Sequence, residues 1–233
     1  DSQIGLEETP EQFVESLVNV FREIKRVLKD DGTLWLNLGD SYSSGGRTTT
    51  TNQSVRGDKD YGVTRPPPVE GIKPKDLFGI PWRVAFALQA DGWYLRQDII
   101  WNKPNPMPES VQDRCTKAHE YIFLLSKSPH YYFDNVAIKE ETTTFDNSNR
   151  DRDTTKLNNT PGRTKMAGLK TNQYETRNKR SVWTVNTKPY KEAHFAVFPT
   201  DLIEPCVLAG SSAKICSGCG KSYRREMVTT DVP

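Results

Sequence analysis

Two neighbouring stretches decide the fold of this chain. Residues 92–110 read GWYLRQDIIWNKPNPMPES, and residues 118–127 read AHEYIFLLSK. Each contains an apolar run of strand length, at 99–101 and at 121–125. The two predicted strands are close enough in sequence to pair antiparallel. Prolines at alternate positions after the first strand fix φ and remove donors, which predicts a stiff, extended loop over residues 104–110.

The chain before these strands predicts two helices and one more strand. Residues 10–29 carry an apolar stripe at three- and four-residue steps, with Thr9 as N-cap and Pro10 in the first helical position. Residues 33–38 form a nearly all-apolar run, which indicates a central strand covered by helices on both faces. A second helix is expected to begin near Pro81, after a cap at Asp76 or Gly79, and to stop at residues 91–92.

The chain after these strands predicts a shorter set of elements. Residues 131–133 are expected to continue the second strand, and residues 181–185 to form another strand. A final helix is expected to start at Pro199 or Thr200 and to end at Gly210. Two polar segments, 41–72 and 141–181, predict long loops, the first of them a mobile loop or lid. This element order predicts an α/β sheet.

Composition limits the classes of protein to which the chain can belong. Its 233 residues suffice for one domain of ordinary size, and 27% charged residues with a mean hydropathy of −0.70 fit a core that carries long solvated loops. The net charge of +2 is too small to indicate a nucleic-acid partner by itself. The sequence has no apolar run near 18 residues and no signal-like start, so we expect a cytoplasmic protein with reduced thiols.

Four segments together resemble the N4-cytosine and N6-adenine DNA methyltransferases. Residues 93–126 look like the region around the eighth conserved motif of that family, and residues 73–83 fit the segment ahead of it. Residues 31–40 look like the strand that follows the catalytic motif, and residues 194–202 resemble the tenth motif. The linear order is similar to the circularly permuted beta class, and the resemblance covers roughly residues 1–140 and 177–212.

The resemblance implies a Rossmann-like fold. It also implies an enzyme that uses S-adenosylmethionine to methylate an exocyclic amino group of a flipped base in double-stranded DNA. Residues 1–140 would be the catalytic side, with residues 182–212 on the cofactor side. Two family motifs are absent from the sequence: a polar-Pro-Pro-aromatic turn, expected just upstream of residue 1, and a Phe-x-Gly-x-Gly loop, expected after residue 210. The fold is therefore expected to be incomplete, and we do not expect this chain alone to methylate DNA.

Two other functions stay open beside this one. The chain could be a non-catalytic DNA-binding or regulatory remnant of such an enzyme, or it could belong to a methyltransferase that acts on RNA. A cognate restriction nuclease is a further partner that the resemblance suggests. The oligomeric state does not follow from the sequence.

The resemblance also implies candidate site residues, although no catalytic residue can be named. A base pocket is expected at the start of the proline loop, and the adenosyl part of the cofactor is expected beside the last helix. Each has a purely structural alternative. Trp101 would simply be buried beside a solvated Lys103, Phe198 and Pro199 would anchor and start the last helix, and Asp40 would cap a helix or turn. The expected base-pocket residues are Trp101, Lys103, Asn105 and Pro106, and the expected cofactor residues are Asp40, His194, Phe198 and Pro199.

Segment 141–181 occupies the place of a target-recognition segment and is rich in cations. Basic side chains at this density would contact DNA phosphates, and a solvated loop is the alternative. The candidate DNA-binding residues are Arg163, Lys165, Lys170, Arg177, Lys179 and Arg180.

The tail, residues 213–233, contains one cysteine pair, Cys216 and Cys219, followed by glycine. This spacing is half of a zinc knuckle, and a structural zinc site needs four ligands. We therefore expect an incomplete zinc site. Plain reduced thiols are the alternative, and a disulfide is less favoured.

Overall fold

The structure is a computed structural model that describes residues 3–43, 71–141, 176–190 and 197–226. The two polar segments predicted as loops lie mostly outside these ranges, at residues 44–70 and 142–175. Within them, no helix combines the length and the apolar character needed to cross a membrane.

A four-stranded sheet forms the centre of the described chain. Its strands are β1 (Thr33–Leu38), β2 (Tyr94–Asn102), β3 (His119–Ser126) and β6 (Val182–Thr184), in the spatial order β1-β3-β2-β6. β3 is antiparallel to both β1 and β2, and β6 is parallel to β2. The carboxyl ends of β1, β2 and β6 therefore lie on the same side of the sheet, with the start of β3 between the first two. We call this side the carboxyl edge.

Two helices cover one face of the sheet. α1 (Pro10–Val27) begins where Thr9 Oγ1 accepts a hydrogen bond from the Gln12 amide at 3.3 Å, which confirms the predicted N-cap. α2 (Ile80–Ala90) begins after Gly79, whose φ of 69° favours glycine. Both helices pack on a buried cluster of side chains from the sheet and from the helices themselves: Val18, Phe21, Leu36, Val84, Leu88, Trp93, Phe123 and Leu125.

A third helix, α3 (Thr200–Gly210), packs on the opposite face. Leu202, in its first turn, joins the buried cluster of Ile99, Trp101, Ile122 and Trp183. At its other end, a side chain at Gly210 would meet Thr33 Oγ1 at 2.5 Å, beside the start of β1. α3 therefore begins near the carboxyl edge and runs back along the sheet.

The observed bounds agree with most of the predicted elements and correct one of them. β1, β3 and α3 occupy the predicted residues. The continuation of β3 through residues 131–133 is wrong, because this segment has no strand pairing; its Tyr132 amide instead donates to Asp31 O at 2.8 Å. β1, predicted as a central strand, pairs only with β3 in the described part of the sheet.

Two short strands stand apart from this sheet. β4 (Glu140–Glu141) and β5 (Thr176–Arg177) pair antiparallel and flank segment 142–175. The pairing brings the two ends of the predicted target-recognition segment together.

Candidate active site at the carboxyl edge

Four charged side chains gather where the strands end. Glu120, near the start of β3, forms an ion pair with Lys103, which directly follows β2. On its other side the Glu120 carboxyl lies against Gly39, which follows β1; a Cβ there would sit 3.6 Å from Glu120 Cδ. Burial lowers the pKa of Lys117, and the nearby carboxylates of Asp40 and Glu120 offset part of that effect. The carboxyl edge thus carries a partly buried cluster in which two cations, Lys103 and Lys117, lie among two carboxylates.

Lys103 lies over the ring of Trp101. Its ammonium is 4.2 Å from the ring centroid, which is cation–π geometry. Trp101 itself is only 3% exposed, and its indole N–H donates to Val185 O at 2.8 Å. The structure therefore places Trp101 in the core beneath Lys103, and a contact between its ring and a base stays a prediction.

Asn105 fixes the proline loop to the segment that follows β6. Its Nδ2 donates to Thr187 O at 3.3 Å, and its Oδ1 accepts from the Thr187 amide at 3.0 Å. These two bonds use one N–H and one carbonyl lone pair of the Asn105 amide, which leaves a second donor and a second acceptor site unused by Thr187. Pro106, the next residue, is half-buried.

The far end of the same loop is held by Arg114. The guanidinium donates to Glu109 Oε2 at 2.6 Å and lies 3.9 Å from the centroid of the Tyr42 ring. Because Tyr42 follows β1, the loop from 103 to 114 is tied to the ends of three strands. It forms a wall along the carboxyl edge.

The predicted cofactor residues fall into three environments. Asp40 Oδ1 accepts from the Ser41 and Ile80 amides at 2.9 and 3.2 Å, so Asp40 caps the start of α2. Phe198 is 49% exposed just before α3, whereas Pro199 is buried as the residue before the helix. His194 lies outside the described residues.

Three predicted DNA-binding cations converge on one carboxylate. Arg177, Lys179 and Arg180 lie 3.3, 3.8 and 3.4 Å from the Glu140 oxygens. Burial alone would raise the pKa of Glu140, but these cations and its hydrogen bonds hold that pKa below its usual range. Arg180 is the most exposed of the three, at 67% of its side chain. Arg163, Lys165 and Lys170 lie outside the described residues.

The predicted zinc ligands Cys216 and Cys219 lie together in a hairpin. Hydrogen bonds from the Cys219 and Gly218 amides and from the Cys219 side chain lower the pKa of Cys216. No group of three or more His, Cys, Asp or Glu side chains that could hold a metal occurs in the described part of the chain. Cys206 differs sharply, since burial in α3 raises its pKa to about 12.

Glu120, Lys117 and Thr187 also belong to this site, and the sequence motifs did not point to them. One signal for Glu120 was available, because antiparallel pairing of β2 with β3 brings it opposite Trp101. Thr187 gave no signal, since its contact with Asn105 is made through its backbone and spans 82 positions.

A cavity of about 520 Å³ lies between α1 and α2. Four of the charged groups that line it pair with one another across the groove: Arg83 with Glu11 at 2.7 Å and Arg22 with Asp91 at 2.6 Å. We place the candidate site at the carboxyl edge, where ligands collect in open α/β sheets.

Comparison with known proteins adds the family context. Residues 1–214 match the sequence model of the N6_N4_Mtase family, described as DNA methylase. The type II methyltransferase M.Cfr9I of Citrobacter freundii is 50% identical over 211 residues, covering 91% of this chain and 60% of that protein. M.SmaI of Serratia marcescens, also a type II methyltransferase, is 51% identical over 212 residues, covering 90% and 62%. The chain thus spans about three fifths of the length of these relatives.

One solved structure shows the same fold. It is a PvuII DNA methyltransferase (cytosine-N4-specific), with a TM-score of 0.53 and 13% identity, over 87% of this chain and 56% of that one. At this identity the likeness speaks for the fold alone.

Proposed function

Because this chain belongs to the DNA methylase family, we propose that it is part of an S-adenosylmethionine-dependent enzyme that methylates an exocyclic amino group of a base in double-stranded DNA. The family assignment confirms the resemblance read from the sequence. We further propose cytosine N4 or adenine N6 as the acceptor, and a Rossmann-like arrangement for the complete sheet.

The observation that carries this proposal is the anchored proline loop. Methylation of a base requires the base to leave the stack and enter a shaped pocket. A wall that is already rigid costs little entropy when the base arrives. Lys103, Asn105 and Arg114 tie residues 103–114 to the ends of β1, β2 and β6 through contacts made within the protein itself. We propose that this wall lines one side of the base pocket.

The residues present fit one side of the cofactor. The half-exposed Phe198 ring lies near the carboxyl edge, where it is available to stack on the adenine of S-adenosylmethionine. One carboxylate oxygen of Asp40 accepts a hydrogen bond from the Ile80 amide at the start of α2. We also propose His194 as a residue on the cofactor side. When bound, the cofactor supplies an electrophilic methyl group at its sulfonium. The sequence contains neither the polar-Pro-Pro-aromatic turn nor the glycine loop, so we derive no transfer step from these residues.

The cations flanking segment 142–175 support a role in DNA binding. Arg180 is exposed enough to reach a phosphate, and it lies beside Arg177 and Lys179 with a single carboxylate among them. Contacts of this kind position the duplex without reading its sequence. We include Arg163, Lys165 and Lys170 in the same proposed surface. Since the relatives are named type II methyltransferases, we also propose a restriction nuclease that shares the target site.

The test is a methylation assay with the complete polypeptide to which this chain belongs. It is incubated with methyl-labelled S-adenosylmethionine and genomic DNA, and the nucleosides are then separated. We expect label in N4-methylcytosine or N6-methyladenine. Asn105→Ala should lower kcat/KM about tenfold, because it removes the side-chain hydrogen bonds to Thr187; a tenfold loss corresponds to about 1.4 kcal/mol. The control variant is Asn19→Ala, at an exposed position of α1. Label in 5-methylcytosine would contradict the proposal.

A second candidate is a DNA-binding remnant without chemistry, which would need only the cations that flank segment 142–175. The same assay separates it from the enzyme. Retention of DNA with no labelled nucleoside would support the remnant, and label that appears only with RNA would support an RNA methyltransferase.

A further inference from the structure

Glu140 and its three cations form a cluster where the two ends of segment 142–175 meet. The pairing of β4 with β5 sets Glu140 opposite Arg177, and Lys179 and Arg180 follow shortly after β5. We call these four residues the Glu140 cluster. The Glu140 side chain is 23% exposed and that of Arg180 is 67% exposed, so the carboxylate lies beneath a cation that reaches solvent.

Glu140 engages both arginines through one oxygen. Arg177 Nε and Arg180 Nε donate to Glu140 Oε2 at 3.3 and 3.4 Å, and Lys179 Nζ lies 3.8 Å from Oε1. A guanidinium has five N–H donors, so a bond from Nε leaves the four N–H groups of the two terminal nitrogens for another acceptor. These terminal groups form the fork that matches a phosphate.

The backbone that carries the cations is fastened to the sheet. The indole N–H of Trp183, a residue that is 5% exposed, donates to Arg180 O at 2.7 Å. The Ile100 amide of β2 donates to Ser181 O at 2.8 Å, and the Lys179 ammonium lies 5.1 Å from the centroid of the Trp183 ring. The core therefore fixes where the cations start, and Glu140 fixes the direction of their side chains.

The cluster has room for one more anion by charge. Three cations surround a single carboxylate, which offsets their mutual repulsion only in part. β6, which follows the cluster, is three residues long, so roughly 10 Å along the strand separates the cluster from the carboxyl edge. The major groove of B-DNA is about 12 Å wide, so a duplex whose base enters at that edge can bring a backbone phosphate to the cluster.

We propose that Glu140 is a positioning residue, which holds the guanidinium groups of Arg177 and Arg180 toward a phosphate of the DNA backbone; this inference rests on the proposed function. Glu140 itself does not touch the DNA. The role can be told apart from a simple effect of charge. Removing a negative charge from a DNA-binding surface by itself strengthens binding, whereas loss of positioning weakens it.

The test measures binding of the complete polypeptide to a fluorescently labelled, mixed-sequence DNA duplex by anisotropy at several salt concentrations. We expect Glu140→Gln to raise Kd about tenfold, as for one lost charge-assisted contact, and to lower the slope of log Kd against log salt by about one. Glu141→Gln makes the same change of charge at the neighbouring, exposed position and should bind as tightly as wild type or more tightly. In the methylation assay the Glu140→Gln loss should appear in the KM for DNA and not in kcat.

A second variant leaves Glu140 in place. Arg180→Lys keeps the positive charge at an exposed position but replaces the fork with a single ammonium, and we expect it to raise Kd about fivefold. Arg224→Lys, at an exposed position outside the cluster, is the matched control and should leave Kd unchanged. Circular dichroism shows whether each variant is folded; if Glu140→Gln is not, Arg180→Lys decides.

Two results would overturn the proposal: a folded Glu140→Gln variant that binds the duplex as tightly as wild type or more tightly, or an Arg180→Lys variant with the wild-type Kd. Failure of the proposed function looks different. In that case the wild type binds the duplex but transfers no label, and the comparison of Kd values between variants still decides the role of Glu140.

Discussion

At the residue scale, the partners that decide a side chain's role lie far away in sequence. Asn105 and Trp101 were identified from their position beside the proline loop. Their observed partners, Thr187 and Val185, are 82 and 84 positions away. A motif predicts that a residue belongs to a site, but it does not predict whether that residue faces a ligand or fastens the backbone. For this reason the sequence could place these residues at the proline loop, but it could not predict the partner of each side chain.

Glu140 carries a prediction of pH-dependent stability. Its folded-state pKa lies below that of the unfolded chain, so its ionised form stabilises the fold above the unfolded pKa, and that contribution is lost as pH falls through the folded value. We expect Glu140→Gln to lower the free energy of unfolding by about 1 kcal/mol at pH 7. Once the pH is below the folded-state pKa of Glu140, the difference from wild type should vanish.

Urea denaturation at several pH values measures this effect. Glu141→Gln, an exposed position on the same short strand, is the control and should change stability little at any pH. A Glu140→Gln penalty that persisted unchanged at low pH would show that charge pairing is not its cause.

At the element scale, the long apolar runs predicted strands correctly, whereas the short aromatic run at residues 131–133 did not. Residues 33–38 and 119–126 were predicted with the observed bounds, because a strand whose two faces are both covered by helices needs a nearly continuous apolar run. Residues 131–133 look equally strand-like. Their neighbourhood is different, because Phe133 stacks on Trp35 with ring centroids 6.3 Å apart and the Asp134 amide donates to Ala209 O. Tertiary contacts with α3 outweigh the local preference.

The docking of α3 gives a prediction at this scale. Replacing a helical glycine with alanine usually stabilises a protein by up to about 1 kcal/mol. At Gly210 the new Cβ would lie 2.5 Å from Thr33 Oγ1 and 2.8 Å from Trp35 Nε1. We therefore expect Gly210→Ala to destabilise the protein by about 1–3 kcal/mol.

Thermal unfolding followed by circular dichroism tests this sign. Gly39→Ala is the matched control, because its Cβ would meet Glu120 at an ordinary 3.6 Å. An unchanged or raised Tm for Gly210→Ala would mean that α3 is packed less closely against β1 than the structure shows.

At the scale of the whole molecule, helices cover both faces of the sheet and leave the carboxyl edge open. The alternation of helices and strands was sufficient to predict an α/β class, since each apolar strand needs a helix on each side. It could not predict the strand order β1-β3-β2-β6, because the pairing of β6 with β2 joins segments about 80 residues apart. That pairing places Thr187 within reach of Asn105, and so completes the wall of the candidate site.

Hydrogen–deuterium exchange of the complete polypeptide, with and without duplex DNA and S-adenosylmethionine, tests the location of the site most directly. We expect exchange to slow at the amides of residues 103–114 and at the residues following β1, while the α1–α2 groove stays unchanged. Protection confined to the groove around Arg22 and Asp91, with no change along the carboxyl edge, would contradict the proposed site.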